Sequence, residues 1–555
     1  MRSLPLIIVV GANDLALRVC EELCATSGHE VLVLWEPHAQ AEAAVHAMGA
    51  RFAAHAPNHY ESLERVGVRE AACIIPVSED DRLNLQIALK ARDLNPDVRI
   101  VLRQFNRALG RKLEQNLPNC TAISPATHAA ATYAGAAVDP ACVYAVQFPA
   151  ASGPLVGFSE RRAADFGLDD CTVTEAERRL GVRVVAVNGR IAPEQSETIR
   201  REDTVVACGA MPRLQASWPR RNGAAEKDRP RARARTSVRD LVRAAARVEP
   251  LLRYTFAAGT VIYVIASIYF ALDLHLTFLE SLYFVAATMF TVGYGDITPY
   301  GRHGGAVAIV IAIVIMGVGV TLGGVFIATI SSALNRAQQI ALRGLRHIRA
   351  EDHVVVCGAG NVGTRIIDFL LEMDQRVIVI EPRPSALIVE HARSRRVELL
   401  ASDATDDQVL AFCDLGSAQS LVAATDSDTA NLEAALGALA YSSGLHVVMR
   451  IHDAQFSRSV ARNFKIGKSF SASDLTAPAI AGLARFPASR GRVSFAGETF
   501  NVGERHAKMH IPRAEGGIPL YFWRGGALVP AHDFQDMQPN DRLLDIVPLS
   551  QFKTD

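Results

Sequence analysis

Residues 288–296 read TMFTVGYGD, from Thr288 to Asp296, with two glycines bracketing a tyrosine. Long apolar runs flank the string. Leu251 to Asp273 carries charge only at Arg253 and at Asp273 itself, and Gly304 to Leu334 carries none. A bilayer-spanning helix needs about 20 predominantly apolar residues. Helices apolar all round at this length are rare in soluble proteins. Both runs are therefore expected to span a membrane, as helices over 251–273 and 304–334. Residues 279–290 between them have the length and aromatic content of a short re-entrant helix. The quoted string then lies at membrane depth, where irregular backbone must line water or be buried in protein.

The flanks orient the spans. Arginine is dense in Arg229–Pro250 and in Asn335–Asp352, and nearly absent between the spans apart from Arg302. The positive-inside rule puts both flanks, and with them both termini, in the cytoplasm of a multi-pass inner-membrane protein. Arg239, Arg243 and Arg247 recur every four residues, so an amphipathic helix along the inner lipid surface is expected in the 216–250 linker. At the N-terminus, LPLIIVVGAND reads as a buried strand and turn and not as a signal peptide. The 555 residues exceed one core. Acidic and basic residues number 58 each, which gives no charge excess to recruit nucleic acid. The nine cysteines form no C-x-x-C pair and read as free thiols of a reducing compartment.

The glycine–tyrosine string has a physical use. A potassium ion sheds its water only if other oxygens replace the shell, and the carbonyls of Thr291, Val292, Gly293 and Tyr294, with the Thr291 hydroxyl, supply them when aimed at one axis. Aiming neighbouring carbonyls the same way needs alternating backbone handedness, which Gly293 and Gly295 adopt without steric cost. Tyr294 is expected to point outward against Tyr283 and Phe284. T-x-x-T-V-G-Y-G-D, carried intact by Thr288–Asp296, resembles the potassium-channel signature. That resemblance implies a filter formed by Thr291, Val292, Gly293, Tyr294, Gly295 and Asp296, with K+ as the permeant ion. It also implies a homotetramer, since one chain supplies one of four filter strands. Potassium transporters of the Trk/Ktr type usually keep a single glycine here. Ala287 stands where some bacterial channels carry a glutamate, so Asp296 is expected to lack that partner. In the second span, Gly317 and Gly319 are hinge candidates or small residues at a helix contact.

The second half opens with DHVVVCGAGNVGTRIIDFLLEMDQRVIVIEPRP, a strand, a glycine turn, a helix and a second strand ending in an acid. Gly358, Gly360 and Gly363, with Asn361 and Val362 between them, form the G-x-G-x-x-G fingerprint, and Glu381 follows about 20 residues on. Gly360 would let a pyrophosphate approach the helix N-terminus, and Glu381 would accept hydrogen bonds from ribose hydroxyls. The N-terminal region repeats the plan: the interval from Gly11 to Asn84 equals that from Gly358 to Asn431, and Arg103 and Arg450 follow their asparagines at equal distance.

These halves resemble the regulator-of-potassium-conductance (RCK) domain, kin of the TrkA nucleotide-binding domain. ASDATDD at 401–407 looks like that family's G-D-A-T segment, with Ser402 for the glycine and Asp403 at the nucleotide. The resemblance implies eight such domains in a cytoplasmic gating ring, with NAD(H), an adenine nucleotide or an ion as ligand. In the first half Asn13 replaces the second glycine and Asp14 follows, opposing a pyrophosphate. Gly11, Asn13 and Glu36 thus mark at most a degenerate second site. SEDD (78–81) and TDSD (425–428) offer calcium ligands or helix caps, and capping is expected, with no metal site.

The expected fold is multi-domain: two α/β Rossmann-like RCK domains flanking an all-α two-transmembrane-helix potassium channel pore. Its parts are a Rossmann domain over 1–136, its lobe over 137–215, the linker 216–250, a pore domain over 251–335, a linker over 336–352, a second Rossmann domain over 353–475 and its lobe over 476–555. The expected function is a ligand-gated potassium channel and not an enzyme. The competing readings are a membrane-tethered NAD-dependent oxidoreductase and a nucleotide-sensing subunit of a potassium transporter.

Overall fold

Two runs of β-branched and aliphatic residues, Leu6–Val10 (LIIVV) and His353–Cys357 (HVVVC), lie buried at the centre of two six-stranded parallel sheets. Strands covered on both faces are apolar throughout, which is why neither run alternates. In a computed structural model of the chain, residues 4–216, 250–300, 305–342, 348–506 and 517–550 are described, apart from Ser27, Ala151, Arg349, Arg395, Asp453, Lys465 and Pro487. The arginines at 239, 243 and 247 and much of the 336–352 segment lie outside the described residues. The chain divides into two units: residues 1–222 with 345–555, and residues 223–344.

In the first unit the N-terminal sheet runs Arg51–Ala54, Glu30–Trp35, Leu6–Val10, Cys73–Pro76, Arg99–Arg103, Cys120–Ile123. The second sheet has the same order: Val397–Leu400, Arg376–Ile380, His353–Cys357, Ala418–Ala423, His446–Arg450, Lys468–Phe470. In each sheet the order reverses beside the first strand, and such a switch point opens a crevice at the strands' carboxyl ends. The matching asparagines explain why the repeat keeps its spacing. Buried Asn84 accepts from the Ser78 N–H (3.0 Å) and donates to the carbonyls of Ser78 and Arg103. Buried Asn431 accepts from the Thr425 N–H (2.8 Å) and donates to those of Thr425 and Arg450. Each asparagine ties two strand ends together.

The halves exchange helices. Pro125–Val138, capped by Ser124, leaves the first half to pack on the helix Asn361–Glu372 and the strands Ala418–Ala423 and His446–Arg450 of the second. Its sequence, PATHAAATYAGAAV, is buried along most of its length, and only small side chains let a helix be enclosed on all sides at close range. Tyr133 donates to the Phe470 carbonyl (2.6 Å) and Gln419 to that of Val138 (3.0 Å). In return Ala472–Arg485, capped by Ser471, packs on Asp14–Cys24 and the first sheet, where Asp474 pairs with Arg18 at 3.2 Å. These helices straddle the boundaries expected at 136 and 475. Composition marks an alanine-rich helix but not which sheet it covers.

Beyond them lie two five-stranded antiparallel sheets, centred on Thr204–Ala210 and Arg542–Pro548. They share one core, which includes Tyr144, Phe158, Phe495 and Phe500. Tyr521 crosses between them, donating to the Cys208 carbonyl (2.8 Å) and accepting from the Arg183 N–H (3.0 Å).

The second unit holds an outer helix, Pro250–Asp273, a short pore helix, Phe278–Met289, and an inner helix, Gly305–Leu342. Among the described residues, Gly305–Ala328 is the segment long and apolar enough to cross a membrane, and the apolar stretch Ala257–Asp273 is shorter. Buried Phe270 meets Phe284 edge-on at 4.9 Å. Hydroxyls satisfy helix carbonyls where apolar packing leaves no water: Tyr263 donates to Leu282 (2.9 Å), Ser267 to Tyr263 (2.8 Å) and Ser281 to Ser267.

One buried ion pair anchors the first lobe. Asp139 and Arg161 meet at 2.6 Å with side chains 0% and 1% exposed, and Arg161 also donates to Ser159 and Leu214. Removing one partner strands the other charge in the interior. Asp139→Ala is expected to cost about 3–5 kcal/mol in unfolding experiments, whereas a loss below about 1 kcal/mol would show that water reaches Arg161.

Candidate functional site

The pore helix opens with a capping box: Thr277 accepts from the Glu280 N–H, and the Glu280 carboxylate accepts from the Thr277 N–H at 2.9 Å. Its carbonyl end meets the string TVGYG. Positive φ falls at Thr291 (58°), Gly293 (56°) and Gly295 (77°), and not at Val292 or Tyr294. The handedness therefore alternates along five residues. For Thr291 this conformation is unfavourable because threonine is β-branched. The Ala287 carbonyl holds the bend, accepting from the N–H groups of both Val292 (2.8 Å) and Gly293 (3.1 Å).

One expectation is corrected. Tyr294 stacks on Tyr283, with rings 6.3 Å apart and tilted by 7°, but Phe284 is buried against Phe270 on the outer helix. With alanine at 287, Asp296 instead accepts from the Tyr283 hydroxyl at 2.8 Å. A tyrosine a turn earlier supplies a donor that Ala287 cannot.

The two hinge candidates separate. A Cβ on Gly319 would stand 2.1 Å from the Met289 carbonyl oxygen, so this glycine lets the inner helix touch the pore helix. A Cβ on Gly317 would meet nothing within 4 Å, and the Gly317 carbonyl accepts from the Thr321 hydroxyl at 2.8 Å. Back-bonding of this kind bends helices.

In the second half each glycine of the fingerprint has its own task. Gly358 sits at φ 92°, and a Cβ there would lie 2.8 Å from the Thr425 nitrogen. On Gly363 a Cβ would lie 2.0 Å from the Gly358 carbonyl oxygen, so this position sets helix against loop. On Gly360 it would meet nothing. The helix Asn361–Glu372 begins there without a side-chain cap, leaving its first N–H groups to face outward. A cavity of about 440 Å³ opens at this point, lined by Gly360, Asn361, Thr364, Arg365, Glu381 and Arg383 among others. The Glu381 carboxylate accepts from the N–H groups of Ala359 (2.7 Å) and Arg383 (3.0 Å), which fixes the acid beside the glycine loop.

Of the expected residues, Gly360, Asn361 and Glu381 line the cavity, Gly358 and Gly363 set the loop close to Thr425 and to each other, and Val362 is buried in the core. Asp403 is not among the lining residues: it accepts from the N–H and hydroxyl of Thr405 in a turn of its own. An Asp-x-Thr sequence closes such a turn readily. The sequence reading missed the two cations, Arg365 and Arg383. Arg383, two residues past the acid in EPRPS, was the legible one.

The first-half loop is arranged differently. Asn13 caps the helix Asp14–Cys24, accepting from the Ala16 N–H and donating to the Val77 carbonyl, each at 2.9 Å. The helix terminus that would hold an anion is thus satisfied from within. Gly11 keeps φ 145°, and Glu36 stands exposed at the second strand tip. In the acidic clusters, Asp80 and Ser427 cap the helices that follow them.

A packing test follows for the inner helix. Gly319→Ala forces about 1–3 kcal/mol of overpacking against Met289, so it is expected to lower the yield of folded detergent-extracted protein. Gly317→Ala is expected to leave the yield unchanged. Equal yields for both variants would contradict this contact.

The TrkA-N domain family matches residues 7–125 and again 354–468, and the ion channel family matches residues 251–336. The voltage-gated potassium channel Kch of Escherichia coli (strain K12) is 29% identical over 183 residues, covering 32% of this chain and 42% of Kch. Potassium channel protein 1 of Methanocaldococcus jannaschii is 23% identical over 174 residues, covering 31% of this chain and 52% of that protein. The chain thus spans about half or less of the length of these curated relatives. The GsuK channel bound to NAD shares the fold, with a TM-score of 0.50 at 13% identity over all of this chain and 78% of that one. An ion-channel domain places the protein in a membrane. The chain carries two TrkA-N domains, one before and one after an ion-channel pore domain, and is homologous to the potassium channel Kch.

Proposed function

We propose that this protein is a potassium-selective channel of the cell membrane, assembled from four copies and gated by a nucleotide on its paired cytoplasmic domains. One observation carries the reading. The signature Thr288–Asp296 stands at the carbonyl end of a short helix between two apolar helices, with backbone handedness alternating from Thr291 to Gly295. Four such strands around an axis would replace the water shell of a potassium ion. A closed ring of four, with eight RCK domains on the cytoplasmic side, follows from one strand and two domains per chain. The arginine-rich flanks favour cytoplasmic termini. The channel homology favours this over a membrane-tethered oxidoreductase, for which the nucleotide fold alone would speak.

The second-half cavity suits NAD or an adenine nucleotide. Open backbone at Gly360 and the uncapped helix N-terminus would receive phosphates beside Arg365 and Arg383. Glu381 keeps lone pairs free for ribose hydroxyls beyond the N–H groups it already accepts. The GsuK channel, which shares the fold, has been seen bound to NAD. A nucleotide gates only if it binds the open and closed arrangements with different affinity, and Gly317 is where the inner helix would bend in response.

Two variants test the two sites. Gly293→Ala is expected to assemble as wild type but pass no potassium from loaded liposomes, because alanine resists the φ of 56°. Normal flux would contradict the filter. Gly360→Asp is expected to weaken ADP binding to the full chain about tenfold or more, by setting a carboxylate where phosphate would lie. Unchanged affinity by calorimetry would refute the assignment of the cavity.

A further inference from the structure

The cavity beside Gly360 is not built by the second half alone. Phe105, which follows the first-half strand Arg99–Arg103, also lines it. Phe105 is 40% exposed, and Leu387, lining the same cavity, is 41% exposed. Two large apolar side chains therefore line a space whose other walls include Glu381, Arg383 and Arg365. The position of Phe105 is fixed at the main chain, where its N–H donates to Asp81 (2.6 Å), and the same carboxylate accepts from Gln104 (2.9 Å).

The repeat shows that this arrangement is one-sided. The position matching Phe105 in the second half is His452, whose N–H likewise donates to an aspartate, Asp428, at 2.9 Å. The His452 ring is engaged as well, with Asp428 at 2.7 Å and Arg450 at 2.8 Å. The half with the intact glycine loop thus faces an aromatic ring with no hydrogen-bonding duty. The half whose loop is closed by Asn13 carries that aromatic.

We propose that Phe105 recognises the base of the nucleotide held at Gly360, stacking on one face of the purine while Leu387 contacts the other. This rests on the nucleotide reading above and deepens it, because the ligand then touches both halves at once. Phosphates go to the amides and arginines, the ribose to Glu381, and the base to the apolar pair. Every base presents a π face to such a ring, and stacking carries a large share of the affinity where it occurs.

Calorimetry on the full-length protein in detergent, with ADP and with inorganic pyrophosphate, tests this. Phe105→Ala is expected to weaken ADP binding about tenfold or more and leave pyrophosphate binding unchanged, and Phe105→Trp is expected to restore ADP binding. Equal ADP affinity in Phe105→Ala would overturn the proposal while leaving the nucleotide site standing. Parallel loss of both ligands would show a structural effect and overturn stacking, as would failure of tryptophan to restore binding. If the wild-type protein binds no ADP, the nucleotide reading falls and this proposal with it.

Discussion

Backbone atoms can serve as ligands only where no Cβ blocks them and where the dihedral angles turn them outward. Both candidate sites of this chain depend on that constraint, for ions of opposite sign. In the pore, carbonyl oxygens would face a cation, and the alternating φ at Thr291, Gly293 and Gly295 is the backbone pattern such a filter needs. In the second Rossmann domain, amide groups would face an anion, and Gly360 leaves them uncovered. Thr291 bears the cost of the arrangement, since a β-branched residue at positive φ is strained. The Ala287 carbonyl, accepting two N–H groups, holds it there.

The first unit behaves as one body because each half completes the other. Pro125–Val138 covers the second sheet and Ala472–Arg485 the first, so neither Rossmann domain keeps its full core alone. The paired lobes extend the same union through the aromatic core around Phe158 and Phe500. A ligand that spans the Gly360 loop and Phe105 would act on the seam between the halves. The two halves differ here: the second-half helix terminus is uncapped, whereas Asn13 caps the first. Coupling to a pore needs only that the two arrangements of such a body differ in ligand affinity.

Much of this was legible in the sequence because it is local. Apolar runs such as LIIVV and HVVVC mark enclosed strands, the glycine spacing at 358–363 marks the loop, and the equal Gly–Asn intervals mark the repeat. What was not legible depends on contacts far apart in the chain. Nothing in PATHAAATYAGAAV says which sheet it will cover, and nothing near Phe105 points to Gly360. The hydroxyl of Tyr283, 13 residues before Asp296, reaches its carboxylate only once the pore helix and the filter strand are folded together. Gly317 and Gly319 look alike on paper, and only the approach of Met289 tells them apart. Asp403 differs in the opposite way, since its Asp-x-Thr turn is a purely local arrangement.

The most direct test of the account is the reversal potential of the purified protein in a planar bilayer, with potassium chloride on one side and sodium chloride on the other. Carbonyl coordination in the filter predicts a reversal potential far toward the potassium equilibrium value, with sodium carrying little current. A reversal potential near zero would mean that the two cations pass alike, and would contradict the central claim.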